Sequence, residues 1–195
     1  MSEAEEACVT FVRAWAESTL RQVERVREVR QQAAQLNRQL DRDWDRDLAK
    51  ELEPLWRQNW TEEHSLVWSL HQLERWASRL ARERGLEPLE PDVELRDLRN
   101  ALEHLDDAVL EHGHLAEAGE DPKKNRSLRR LPGENIAIAT GGRLFGTLDL
   151  RDLEVIAREH FERMEDEEFE REEAEIEAAI DSYFDDVVAA RRELR

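Results

Sequence analysis

Arg99, Asn100 and His104 are the residues whose types and spacing best suit chemistry. Asn100 and His104 stand four positions apart, which places them on one helix face, and the long arm of Arg99 reaches the same spot. A histidine titrates near neutral pH and can move a proton on or off a reacting oxygen. An arginine fork can neutralise charge on a phosphoryl transition state, and an asparagine can orient the phosphate or the imidazole. The plainer expectation is an exposed helix face on which Arg99 pairs with Glu103, and His104 with Asp107.

Arg, a polar residue, three further residues and His, late in a helical bundle, resembles the signature of the HEPN family. The resemblance covers the second and third helices and one or two neighbours. It implies an antiparallel helical bundle and a homodimer whose two motifs meet across a cleft. The activity implied is a metal-independent endoribonuclease of a stress-response or phage-defence (toxin-type) system, cleaving RNA by attack of a 2′-hydroxyl on the adjacent phosphate. Arg99, Asn100 and His104 would be its catalytic residues, with no metal and no cofactor.

Other chemistry is sparser. Lys123, Lys124, Arg126, Arg129 and Arg130 form a run of cations without an acid, the expected RNA-binding loop. The competing reading pairs that loop with the acidic last region, which could fold over it and close the site. Glu111 and His114 show a Glu-x-x-His spacing near His104, Asp107 and His112, but Gly113 interrupts the helix and no second copy exists. No metal site is expected. Trp56, Trp60, His64 and Trp68 recur every fourth residue, and core packing is preferred to a partner-binding stripe. Cys8 is the single cysteine, in an acidic N-terminus expected to fray, so no intrachain disulfide can form. No nucleophile elbow, P-loop or dinucleotide fingerprint occurs.

Composition limits what can hold these residues. The 195-residue chain carries a formal charge of −18, and 39% of its residues are charged. Only 7 Gly and 5 Pro punctuate it, too few for a turn-rich sandwich, barrel or Gly-rich nucleotide fold. So acidic a chain does not attract nucleic acid or anionic membrane through its overall field. No run of apolar residues is long enough to span a membrane, and the N-terminus lacks the features of a signal peptide, so a cytoplasmic protein is expected.

The expected fold is mainly α: a HEPN-like antiparallel helical bundle with a long N-terminal helix, one β-hairpin and an acidic C-terminal helical region. Apolar spacing predicts a first helix over 4–52, a second restarting after Pro54 and running to about 84, and a third from Val93 to about His112. Residues 1–116 form the bundle with the Arg99/His104 site. Residues 117–150 hold the basic loop and a hairpin whose strands, 135–140 and 143–148, flank Gly141 and Gly142. Residues 151–195 are acidic helices with a break near Glu165, packing on the bundle or on a partner. Two further readings follow from the long first helix and the acidic end: a non-catalytic interaction or scaffold protein, and an acidic antitoxin-like inhibitor of a basic partner.

Overall fold

A computed structural model describes residues 1–193 other than 44, 112–114, 122 and 138–142, with side chains described to residue 180 except that of Glu111. The chain is mainly helical. Helix α1 spans Glu3–Arg42, α2 Arg46–Glu83, α3 Val93–Glu103 and α4 Leu150–Glu193. Strands β1 (Val109–Glu111), β2 (Leu115–Glu117) and β3 (Asn135–Ala137) form one antiparallel sheet in that order. No helix among the described residues is long and apolar enough to cross a membrane.

The helices start where capping chemistry allows. Ser2 accepts from the Glu5 amide at 3.1 Å, with Glu3, Glu5 and Glu6 in the first turn of α1. Asp92 accepts from the amides of Glu94 and Leu95 at 2.8 and 3.0 Å and starts α3. Gly85, at φ 68°, ends α2 in the left-handed conformation that helix stops favour.

α1 and α2 form an antiparallel hairpin. Val12, Ala16, Val23 and Val26 of α1 bury against Leu66, Leu70 and Leu73 of α2. Each such side chain contributes roughly 1.5–3 kcal/mol when fully withdrawn from water. α3 adds Leu95 and Leu98, and α4 adds Leu153, Ala157 and Met164. α4 runs antiparallel to α1: Arg27 pairs with Glu154 near the start of α4, and Arg13 with Glu165 and Glu168 about three to four turns later.

The structure moves several expected boundaries. The first helix ends at Arg42 rather than 52, and α2 starts at Arg46, capped by Asp45. Pro54 therefore lies inside α2, not at its start. An interior proline costs about 3 kcal/mol. Leu48, Ala49, Leu52 and Leu55 offset that cost by packing onto Leu36 and Leu40 beside the turn.

α3 ends at Glu103 rather than near His112. A tight turn over Leu105–Asp107 follows, then β1. The Asp107 carbonyl accepts from the Asn125 side chain at 2.8 Å, which holds the chain in this turn, and Val109–Glu111 pair with β2 instead of continuing the helix.

The expected hairpin is also redrawn. β3, Asn135–Ala137, pairs with β2, and residues 138–140 of the expected strand lie outside the described residues; strands β1 and β2 are not among those expected. Gly141 and Gly142 lie outside the described residues. Residues 143–148 form a tight turn, not a strand: Phe145 and Gly146 both have positive φ, 49° and 79°, and the Thr147 amide donates to the Leu144 carbonyl at 2.9 Å. Two successive positive φ values define a turn of the I′ kind. Burial holds Phe145 in this unfavourable conformation: it is 2% exposed and meets Trp60 edge-on at 4.9 Å.

Finally, α4 continues through Glu165 without a break. Cys8 is not in a frayed end but fully buried in the main core.

Candidate functional site

Arg99 and Asn100 lie on the last turns of α3, and His104 is the residue that caps its C-terminus. Because the helix stops there, His104 (φ −115°, ψ 25°) leaves the helical path that would have stacked it over Asn100. His104 is exposed, and among the described residues no hydrogen bond joins it to Arg99 or Asn100.

The Arg99 fork is instead taken up locally. Its Nη1 donates to Asn100 Oδ1 at 2.8 Å, and its Nη2 meets Glu103 at 2.5 Å. Its guanidinium stands 5.2 Å over the ring of Trp68 from α2, a cation–π geometry. Nε is buried without a hydrogen-bond partner among the described residues. The expected Arg99–Glu103 pair is therefore present. Arg99 and Asn100 come together, but with Trp68 and Glu103 as company rather than with His104.

The cationic loop is largely satisfied by its own neighbourhood. Lys124 pairs with Asp107 at 2.8 Å, which draws the Asp107 carboxyl below its usual range and raises the Lys124 ammonium. Arg129 donates to the carbonyls of Gly119 and Asp121, and Arg130 lies 3.5 Å from Asp97. Lys123 and Arg126 are exposed and form no ion pair among the described residues. Among the described residues, no ion pair joins this loop to the acidic region of its own chain, whose glutamates have other partners. Glu154, Glu165, Glu167 and Glu168 of α4 pair with Arg27, Arg13 and Arg84 on α1 and at the end of α2.

The aromatic row divides. Trp60 packs on the core, whereas Trp56 and Trp68 are 46% and 39% exposed. His112 and His114 lie outside the described residues, and among the described residues no group of three His, Cys, Asp or Glu could hold a metal ion.

Sequence spacing missed one constellation. A cleft of about 450 Å³ opens between α2, the loop after it, α3 and α4, lined by His71, Glu74, Arg75, Ser78, Arg82, Arg96 and His160 among others. Burial pushes the Glu74 carboxyl up to about 7, against the opposing hydrogen bond it accepts from the Asp92 amide. Burial also lowers His160 to about 4 and lowers His71, with the Arg99 and Arg75 charges adding to the effect on His71. Both imidazoles are thus neutral at pH 7. The signal available in the sequence was the spacing of His71, Glu74, Arg75, Ser78 and Arg82 along one helix face. Arg96 and His160 join them only through folding.

Compared with protein families, curated proteins and solved structures, the chain matches none.

Proposed function

We propose that this protein is a non-catalytic helical interaction protein, which captures a basic protein partner along the distal part of α4. The carrying observation is that α4 leaves the body as an acidic helix with an uncovered apolar row. After Glu168, every residue to Ile180 is exposed, and Phe169, Ile176 and Ile180 are 62%, 60% and 50% exposed. Their spacing of seven and four is that of a helix-pairing seam, and the sequence continues it at Tyr183 and Val187. Five glutamates against one arginine flank the row from 169 to 180. Like charges oppose a second copy of this arm and favour a basic helix as its occupant. The proximal half is firmly tied down by its pairs to Arg13, Arg27 and Arg84, so the arm projects from a fixed base.

A photo-crosslinking residue at Ile180 of the full chain, in its own cells, tests this. One adduct with a basic protein is expected, lost on Ile176→Asp. Adducts with a second copy only, no adduct, or an adduct that survives Ile176→Asp overturns it.

A second reading keeps the HEPN-like, RNA-cleaving homodimer, favoured by one observation: exposed His104 lies at the end of the helix that carries Arg99 over the half-exposed Trp68. In it, Arg99 must release Glu103 to meet phosphate. Incubating RNA with the protein in EDTA decides it. Cleavage that vanishes in both Arg99→Ala and His104→Ala supports this reading, and its absence from the parent rejects it.

A further inference from the structure

The cleft beside α2 runs against the charge of the molecule. Arg75, Arg82 and Arg96 line it, facing Glu90 and a Glu74 that burial keeps half neutral at pH 7, in a chain of net −18. Arg75 and Arg82 are exposed and form no ion pair among the described residues, although acids outnumber bases 47 to 29 in this chain. Arg96 lies 3.5 Å from Asp97, too far for a good hydrogen bond, and its side chain is 41% exposed. Three arginines lining one cleft of so acidic a chain concentrate positive potential there, which suits an anion. The wall holds further unmet polarity: His71 Nδ1 is buried with no hydrogen-bond partner. Leu89, Pro91 and Ile156 supply an apolar side. The volume is that of a small-molecule pocket.

We propose that this cleft binds a small phosphate monoester, its dianion held by Arg75, Arg82 and Arg96 and its organic group resting on Leu89, Pro91 and Ile156. Arginine forks match phosphate oxygens two at a time, and a dianion suits the cationic excess better than a carboxylate does. His71, neutral, and the Ser78 hydroxyl serve as hydrogen-bonding groups beside it. The inference does not depend on the α4 arm.

Titration calorimetry on the full chain tests it with phenyl phosphate, inorganic phosphate and phenol. Phenyl phosphate is expected to bind saturably and about tenfold more tightly than inorganic phosphate, and phenol not to bind. Arg82→Ala and Arg96→Ala each weaken phenyl phosphate by about tenfold or more, with unchanged circular dichroism, whereas a Lys123→Ala/Arg126→Ala variant binds as the parent does. No saturable binding of phenyl phosphate, equal binding by the arginine variants, or loss in the Lys123/Arg126 variant overturns the proposal. Inorganic phosphate binding as tightly as the ester overturns the apolar part of it.

A pH series with sulfate, whose charge is constant, adds an independent readout. Glu74 faces His71, Arg75 and Arg82 of α2, Glu90 and Asp92 of the loop, Arg96 of α3, and His160 with Arg163 of α4. Glu74, raised to about 7, loses its charge as the pH falls, whereas burial lowers His71 and His160, so sulfate should bind more tightly as the pH falls from about 8 to about 6. Glu74→Gln removes that slope. A slope that persists in Glu74→Gln, or none in the parent, contradicts the assignment of Glu74 to the anion's surroundings.

Discussion

Arg30 of α1 holds the buried Glu63 carboxylate of α2 with two hydrogen bonds to one oxygen, from Nε at 3.0 Å and Nη2 at 2.7 Å. Asn59 donates to the same oxygen at 2.6 Å, and the Phe145 amide lies 3.5 Å from the other. Glu63 is 4% exposed, so the group joins both long helices and the 143–148 turn at one buried point. Removing one side of a buried pair leaves an uncompensated charge. Glu63→Ala should therefore cost about 3–5 kcal/mol in urea unfolding. An Arg30→Met/Glu63→Leu double variant should recover most of that loss. A double variant no better than Glu63→Ala would show that the pair contributes through packing rather than charge.

The turn at Phe145 and Gly146 supplies a second expectation. A Cβ on Gly146 would meet Ala137 at 3.4 Å, an ordinary contact, so space is not the obstacle. Its φ of 79° is. Gly146→Ala should destabilise by about 1–2 kcal/mol, read as a lower thermal midpoint. A neutral result would mean that the turn adopts another conformation in solution.

Glu74 makes stability depend on pH. Its folded value, about 7, lies above the ordinary 4.5, so the folded state binds more protons. Its neutral form is fully accommodated below about pH 4.5, and stability falls as pH rises through 7. Glu74→Gln should be the more stable protein at pH 8 by about 1 kcal/mol, after allowance for solvent screening, with the advantage gone near pH 4.5. Urea titrations at the two pH values measure it. A constant difference between them would contradict the shift.

Glu154 acts in the opposite sense. Hydrogen bonds from Arg27 and Arg158 hold its carboxyl at about 2, below the ordinary 4.5. Its contribution is complete above pH 4.5 and disappears as pH falls towards 2. In Arg27→Ala the Glu154 carboxyl should titrate at higher pH, though still below 4.5 because Arg158 remains at 2.8 Å. A carboxyl-detected NMR titration reads this directly. No movement on loss of Arg27 would assign the whole effect to Arg158.

Much of the architecture was legible in residue order. Apolar spacing and the scarcity of glycine and proline identify the long helices, because a helix that buries one face must repeat its side chains every three or four positions. The Asp92 cap and the Gly85 stop were legible for the same local reason. The Arg99–Glu103 pair follows from helical neighbours four apart. Failures came where tertiary contacts outweighed local preference: Pro54 inside α2, the strands after His104, and the Phe145–Gly146 turn.

Residue order alone sets the helical class, the segregation of acid into the last region and the local partners along each helix, since these depend on residues a turn apart. Folding in three dimensions places His104 off the end of α3 and brings Arg30 to Glu63. It alone brought His71 and Glu74 together with Arg96 and His160. Those relationships join residues tens of positions apart, and their burial, which sets both charge state and strength, exists only once the helices have packed.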